Sequence, residues 1–231
     1  MVQFTPSYFS KRSGFVINQL SGGGCEHMGN FPTFPVKGKL KMSPDNILNY
    51  RINISEEKGH AGYYEAMVQE DIKAKLTVTE RTGMASYEYP ADQQYGTVIM
   101  GGGISATPIE QAAIVITAPN KCEGYAEGGN FCGLRTPYKV YFVAEFDADA
   151  LESGTWKRDE LKPNTTFAEG EYSGVYFTFD VSKKKNVQYK IGVSYVSVEN
   201  ARENLKAENT GWDFLQIQNQ AESKWNHYLG K

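Results

Sequence analysis

The sequence predicts an all-β chain, an antiparallel sandwich or barrel, with two short helices at its C-terminal end. Roughly a dozen strand-like segments follow one another up to about residue 197, and turn residues separate them. Tyr (15) and Phe (12) are numerous, which favours strands. Helical periodicity appears only after residue 197. A parallel sheet would need helical crossovers between its strands, so the antiparallel arrangement is the one predicted.

Alternation of apolar and polar side chains marks the clearest strands, as expected for strands buried on one face. These segments are 72–80, 138–147, 172–180 and 187–196. Residues 112–118 are more continuously apolar, so we expect that strand to be covered on both faces. Weaker or shorter candidates are 14–20, 35–42, 49–55, 62–69, 83–89 and 96–100. Clusters of Gly, Pro, Asn and Asp separate them, as in residues 43–46 and 162–164.

Residues 198–231 change from strand-like to helical periodicity. Ser197 is a suitable N-cap for a helix over 198–206, and the break at 209–211 ends it. A second helix is expected from about Asp213 to Tyr228. Its apolar residues fall on one helical face: Phe214, Ile217, Ala221, Trp225 and Tyr228. We therefore divide the chain into a β-sandwich domain, 1–197, and a helical segment, 198–231.

Composition and charge exclude several classes of partner. The net charge is −3 with mixed signs, so neither nucleic acid nor an anionic membrane is expected as a partner. The basic run 183–185 lies between two strand-like segments and is interpreted as a solvated turn. No apolar run of about 18 residues is present, so no membrane insertion is expected. The first residues lack the pattern of a signal peptide, which indicates a cytoplasmic chain or a fragment without its natural start.

The stretch 21–32, SGGGCEHMGNFP, concentrates four glycines, a thiol, a carboxylate and an imidazole between strand-like segments. Glycine allows a close approach of backbone to ligand, so such a loop is suited to presenting N–H groups to a polar ligand. No helix follows, which argues against a dinucleotide site because a phosphate would lack a helix N-terminus. The alternative is an ordinary glycine-rich connection with no ligand.

The three cysteines leave two arrangements open. Cys122 and Cys132 flank residues 123–131, which read as a polar loop, and would close it as a disulfide in an oxidising compartment. Cys25 is then left over. In the other arrangement all three cysteines are buried or half-buried free thiols.

Six segments in order resemble the N-terminal domain of glycoside hydrolase family 92, bacterial exo-acting α-mannosidases. They are Leu20–Cys25, Glu80–Met84, Gly101–Ser105, Tyr138–Phe146, Val193–Ala201 and Gly211–Phe214. No segment is specific alone, but together they span essentially the whole chain. The opening residues 1–3 match the interior of the family's pattern. The segment that normally precedes them and the C-terminal helical barrel are therefore expected to lie outside this chain.

The resemblance implies a large antiparallel super-sandwich joined by a two-helix linker to an (α/α)₆ catalytic barrel, the expected partner domain. It implies an inverting, Ca²⁺-dependent exo-α-mannosidase, with α-1,2-linked mannose-containing glycans as the expected substrate. In the family the general acid, the general base and the calcium ligands belong mainly to the barrel. We therefore expect no catalytic or metal-binding residue in this chain, and no activity from it alone. The complete protein is expected to be periplasmic or secreted.

By the same resemblance, the glycine-rich stretch lines the sugar-binding cleft from the sandwich side. The predicted substrate-binding residues are Ser21, Gly22, Gly23, Gly24, Cys25, Glu26, His27 and Asn30. Glu26, His27 and Asn30 would supply donors and acceptors for sugar hydroxyls. No Cys-His-Asn pattern makes Cys25 a nucleophile, and a packed side chain is the interpretation for it.

Aromatic side chains near the glycine-rich stretch have two interpretations. Phe31 and Phe34 would stack on a sugar ring or belong to the core. Tyr125 and Asn130 would join the cleft wall if residues 122–132 lie at the same end of the sandwich. Two alternative functions remain at this stage, a stand-alone carbohydrate-binding module and a structural sandwich without activity.

Overall fold

The computed structural model describes residues 5–6, 14–19, 27–45, 54–130 and 132–230. Within these ranges the strands form two large antiparallel sheets and one small hairpin, followed by two helices. The predicted all-β sandwich is therefore confirmed. None of the described helices combines the length and apolarity needed to cross a membrane.

The first sheet has seven strands. In spatial order they are β1 (Thr5–Pro6), β2 (Phe15–Val16), β5 (Thr33–Lys37), β10 (Tyr95–Gly101), β17 (Ser173–Asp180), β14 (Glu152–Lys157) and β15 (Glu160–Pro163). Every pairing in it is antiparallel. The two-stranded hairpin consists of β3 (Asn18–Gln19) and β4 (Met28–Asn30).

The second sheet has nine strands. In spatial order they are β16 (Phe167–Glu169), β11 (Ile109–Ala118), β12 (Lys121–Gly128), β13 (Tyr138–Phe146), β18 (Asn186–Ser194), β9 (Thr82–Glu88), β8 (Ile72–Val78), β7 (Tyr63–Val68) and β6 (Ile54–His60). The predicted segment 49–55 falls largely on 46–53, which lie outside the described residues.

The core lies between the two large sheets, where aromatic side chains from both sheets meet. Phe146 of β13 packs on Phe177 of β17 with ring centroids 4.7 Å apart. The Tyr189 hydroxyl, in the nine-stranded sheet, lies 2.6 Å from Thr33 Oγ1 in the seven-stranded sheet, and the Tyr87 hydroxyl lies 3.2 Å from it. The buried phenols therefore find polar partners across the sandwich, which offsets the cost of removing them from water.

Two expectations about burial and one about a loop are wrong. β11 is not covered on both faces, since burial alternates along it. β17 is buried on both faces rather than one, because it is an inner strand and even Thr178 is buried, with its hydroxyl 2.8 Å from that of Thr97. Residues 123–128, part of the predicted loop 123–131, belong to β12, whose small and polar side chains still alternate in burial.

The helices α1 (Val198–Glu208) and α2 (Phe214–Leu229) confirm the predicted helical end of the chain. The Ser197 side chain accepts from the backbone N–H of Asn200, as the predicted N-cap should. Asp213 caps α2 in the same way, accepting from the N–H of Gln216.

Helix α1 packs closely on the nine-stranded sheet. Ala201 and Leu205 are buried against Val143 of β13. Gly192 of β18 allows this approach, because a Cβ there would lie 2.4 Å from the Ala201 carbonyl oxygen. The second helix lies over β7 and β8, where Ala221 faces Gly62.

Candidate functional site

Residues 21–27 of the glycine-rich stretch belong to the connection between β3, which ends at Gln19, and β4, which begins at Met28. Of the predicted binding residues, Ser21, Gly22, Gly23, Gly24, Cys25 and Glu26 lie outside the described residues. His27 and Asn30 are described: His27 directly precedes β4, and Asn30 is the last residue of β4. The site is therefore built from β4 and from the residues that contact it.

The backbone at β4 is strained. Met28 (φ 60°), Gly29 (φ 74°) and Phe31 (φ 55°) all adopt the left-handed region. For a residue with a Cβ this conformation costs about 1–2 kcal/mol, so tertiary contacts must hold it. One such contact is the hydrogen bond from the Ala106 N–H to the Met28 carbonyl oxygen, at 2.8 Å. Strain of this kind is common where a fold positions a ligand-binding group.

Asn30 is the centre of a buried hydrogen-bond network. Its Oδ1 accepts from Asn18 Nδ2 at 3.1 Å and from the Tyr138 hydroxyl at 2.8 Å. Its backbone N–H donates to Asn18 Oδ1 at 2.8 Å. The Asn30 side chain is fully buried, and its Nδ2 has no hydrogen-bond partner among the described residues. Asn30 therefore fixes the backbone at the end of β4, and one of its buried amide N–H groups is left without a hydrogen-bond acceptor among the described residues.

His27 is buried beside the same network. Its ring meets that of Tyr138 edge-on, with centroids 5.5 Å apart and planes at 73°. Burial raises the pKa of Tyr138, although hydrogen bonding with Asn30, Ser105 and Thr107 opposes this shift. Tyr138 is therefore protonated at neutral pH and donates its hydroxyl hydrogen to Asn30.

Three residues of this site were not predicted from the sequence: Asn18, Tyr138 and Tyr195. Tyr138 opens β13 and Tyr195 follows the end of β18, and these strands are antiparallel neighbours in which Tyr141 pairs with Ser194. The two tyrosines therefore lie at the same end of the nine-stranded sheet. The available signal was one aromatic residue at the start of the predicted strand 138–147 and another near the end of the predicted strand 187–196.

The other candidate residues have different surroundings. Phe31 and Phe34 are core residues, exposed by only 1% and 2%, so they are not available for sugar stacking. Tyr125 lies within β12 and packs on Tyr141, with centroids 6.1 Å apart. Asn130 is exposed in the turn that leads to Tyr138.

Both expected cysteine arrangements are wrong. Cys122 is a free thiol, fully buried in the core, and burial raises its pKa. Cys132 is disulfide-bonded, so the bridge between Cys122 and Cys132 does not form. The reason is geometric, since Cys122 lies on the core face of β12 and Cys132 beyond its opposite end.

The described residues do not fit a calcium site. Within the described ranges, no group of three or more His, Cys, Asp or Glu side chains converges as a set of metal ligands. Hard cations such as Ca²⁺ take six to eight oxygen ligands, with carboxylates prominent among them. The arrangement at β4 is instead a set of neutral hydrogen-bonding and aromatic groups, suited to an uncharged polar ligand.

Comparison with protein families gives one match over most of the chain. The family model described as the glycosyl hydrolase family 92 N-terminal domain matches residues 7–194. Among curated proteins, an uncharacterized secreted glycosidase from Arthroderma benhamiae is 26% identical over 251 aligned positions. That alignment covers 96% of this chain and 32% of the relative.

Solved structures show the same relationship. The family 92 inverting mannosidase of Bacteroides thetaiotaomicron is 26% identical with a TM-score of 0.72, over 87% of this chain and 26% of that chain. A second family 92 α-mannosidase from the same organism shares the fold, with a TM-score of 0.83 at 24% identity, over 99% of this chain and 34% of that chain. This chain thus spans about a third or less of the length of these relatives.

Proposed function

The chain belongs to the glycosyl hydrolase family 92 N-terminal domain family, and we propose that it forms one wall of the sugar-binding cleft of an exo-acting α-mannosidase. The observation that supports this role is the network at β4. A strained backbone and the buried hydrogen bonds of Asn30 hold β4 in a fixed position directly after the glycine-rich connection. Rigid placement of such groups lowers the ordering cost of binding a polar ligand.

We propose mannose-containing glycans as the substrate, with α-1,2-linked mannose released from the non-reducing end. The inverting mannosidase among the similar structures supports this substrate class. Inversion needs two carboxyl groups roughly 6.5–9.5 Å apart, one as general acid and one as general base for water. In this proposal both belong to a separate catalytic barrel domain, the partner of this chain, and residues 198–231 form the linker towards it.

Ca²⁺ is proposed as a cofactor of the complete enzyme only. In this proposal its ligands come mainly from outside this chain. In this proposal the described residues contribute a fixed hydrogen-bond network and aromatic rings beside the sugar, at Asn30, Tyr138 and Tyr195.

A secreted or periplasmic location is proposed for the complete protein. The relative from Arthroderma benhamiae is a secreted glycosidase. The disulfide at Cys132 also supports an oxidising compartment, since such bonds are rare in reducing ones.

The test is hydrolysis by the complete gene product compared with the 231-residue chain. We expect the complete protein to release mannose from α-1,2-mannobiose, to lose this activity on treatment with a calcium chelator, and to recover it with Ca²⁺. The isolated chain should release none. Activity of the isolated chain, or a complete protein inactive on every α-mannoside, would contradict the proposal.

The isolated chain and the complete gene product also distinguish the two alternative functions. A stand-alone binding module requires that the isolated chain bind methyl α-mannoside and that the complete gene product hydrolyse nothing. A purely structural sandwich requires that His27→Ala leave turnover of the complete enzyme unchanged, whereas the cleft wall predicts a lower kcat/KM.

A further inference from the structure

Tyr195 combines an exposed ring with an anchored hydroxyl group. The residue is 54% exposed. Its hydroxyl oxygen accepts from Asn18 Nδ2 at 3.4 Å and lies 3.5 Å from Met28 Sδ. The tip of the side chain is therefore fixed to both strands of the hairpin that carries the glycine-rich connection, while much of the ring stays open to solvent.

The surroundings of Tyr195 distinguish it from other exposed aromatic side chains. Val196 beside it is 71% exposed, so the apolar surface continues along the chain. Asn18, which holds the Tyr195 hydroxyl, also donates to Asn30 Oδ1. The exposed ring of Tyr195 is thus tied to the hydrogen-bond network that fixes β4.

We propose that the ring of Tyr195 is a stacking surface for a pyranose ring of the glycan at the edge of the sugar-binding cleft. This inference rests on the proposed function, and it identifies a ligand-contacting residue outside the glycine-rich stretch. The C–H face of a pyranose is apolar and its rim carries hydroxyl groups, so it matches an aromatic face with polar groups beside it. The anchored hydroxyl limits the freedom that the side chain loses when a sugar binds.

The experiment compares variants of the complete gene product acting on α-1,2-mannobiose. Tyr195→Ala is expected to lower kcat/KM about tenfold, mainly through KM, as when one aromatic contact is lost. Tyr195→Phe keeps the ring and should stay within about twofold of the wild type. Tyr195→Leu keeps apolar bulk without a ring and should resemble Tyr195→Ala.

Phe167→Ala is the matched control, because Phe167 is also 54% exposed. Phe167 pairs with Val115 of β11. The end of β11 on the side of the site is the other one, where Ile109 pairs with Gly128. This variant should keep the wild-type kcat/KM. Thermal unfolding of each variant shows whether it is folded. If Tyr195→Ala does not fold, the activity of Tyr195→Leu decides the question.

The outcomes separate this inference from the function on which it rests. A wild-type protein inactive on every α-mannoside overturns both. An active wild type with Tyr195→Ala and Tyr195→Leu within twofold of it overturns the stacking role alone. A loss in Tyr195→Phe as large as in Tyr195→Ala also overturns the stacking role, since the hydroxyl would then be the group that matters.

Discussion

Asn30 is the single residue on which the order of the β4 segment depends most. Replacing it by alanine removes hydrogen bonds from the buried Asn18 and from the hydroxyl of the half-buried Tyr138. An unsatisfied buried group costs about 1–3 kcal/mol, so we expect Asn30→Ala to lower the free energy of unfolding by about 2–4 kcal/mol. Urea unfolding of the chain measures this. Asn130→Ala, at an exposed position, is the control, and equal effects in the two variants would contradict the prediction.

The cysteines allow a second prediction at the scale of single residues. The sequence has three cysteines, of which Cys122 is free and Cys132 is disulfide-bonded. Cys25 is the cysteine that remains for an intrachain bond. We expect peptide mapping without reduction to join Cys25 to Cys132, and one titratable thiol in the denatured, unreduced protein.

The Cys122→Ser variant is the control for that count, since it should titrate no thiol before reduction. A result of three thiols in the unreduced wild-type chain would exclude the bridge.

At the scale of secondary-structure elements, one carboxylate joins α1 to the turn between β8 and β9. Glu208 accepts hydrogen bonds from the Thr79 hydroxyl, from the Arg81 backbone N–H at 2.9 Å and from the Arg81 guanidinium. Burial alone would raise the pKa of Glu208, but these hydrogen bonds outweigh it and hold the pKa below its usual value. Ionised Glu208 therefore stabilises the folded chain.

The sign of this shift gives a pH dependence. Because the pKa of Glu208 is lower in the folded state, its contribution is complete above the unfolded pKa of about 4.3 and is lost as the pH falls towards the folded value. We expect Glu208→Gln to lower the free energy of unfolding by about 1–3 kcal/mol at pH 7 and less at pH 3. Urea unfolding at both pH values measures this. Glu203→Gln, exposed on the same helix, should change neither value, and a pH-independent loss in Glu208→Gln would refute the assignment.

The local signals explain why the helices and most strands were predicted correctly. The caps Ser197 and Asp213 act within three residues of the chain, so their effect is visible in the sequence. Burial on the second face of a strand is different, because it depends on which elements cover that face. This is why β11 and β17 were assigned the wrong coverage.

At the scale of the whole molecule, buried tyrosines connect the two sheets. Burial raises the pKa of Tyr87 and Tyr189 above its ordinary value near 10. In the unfolded chain these phenols lose their protons at lower pH than in the folded one. Their contribution to stability is therefore complete below about pH 10 and is lost as the pH rises beyond it.

The contribution of these phenols to the free energy of unfolding should therefore be nearly constant from pH 8 to pH 9 and fall steeply by pH 11. Tyr189→Phe should lose about 1 kcal/mol at pH 8 with its hydrogen bond to Thr33, and should then decline less steeply than the wild type. Urea midpoints at each pH provide the measurement. A variant that declines as steeply as the wild type would show that Tyr189 titrates normally in the folded protein.

The sequence by itself determined the fold class, the order of most strands, the two helices and the family, because each is expressed in local periodicity, turn residues or short motifs. It also selected the glycine-rich stretch, of which His27 and Asn30 are described. Only the tertiary structure showed what surrounds Asn30. Its partners Asn18 and Tyr138 lie 12 and 108 positions away, and Asn18 reaches Tyr195 across 177 positions. Such convergence depends on the register and packing of strands that are distant in sequence, and no local pattern records it.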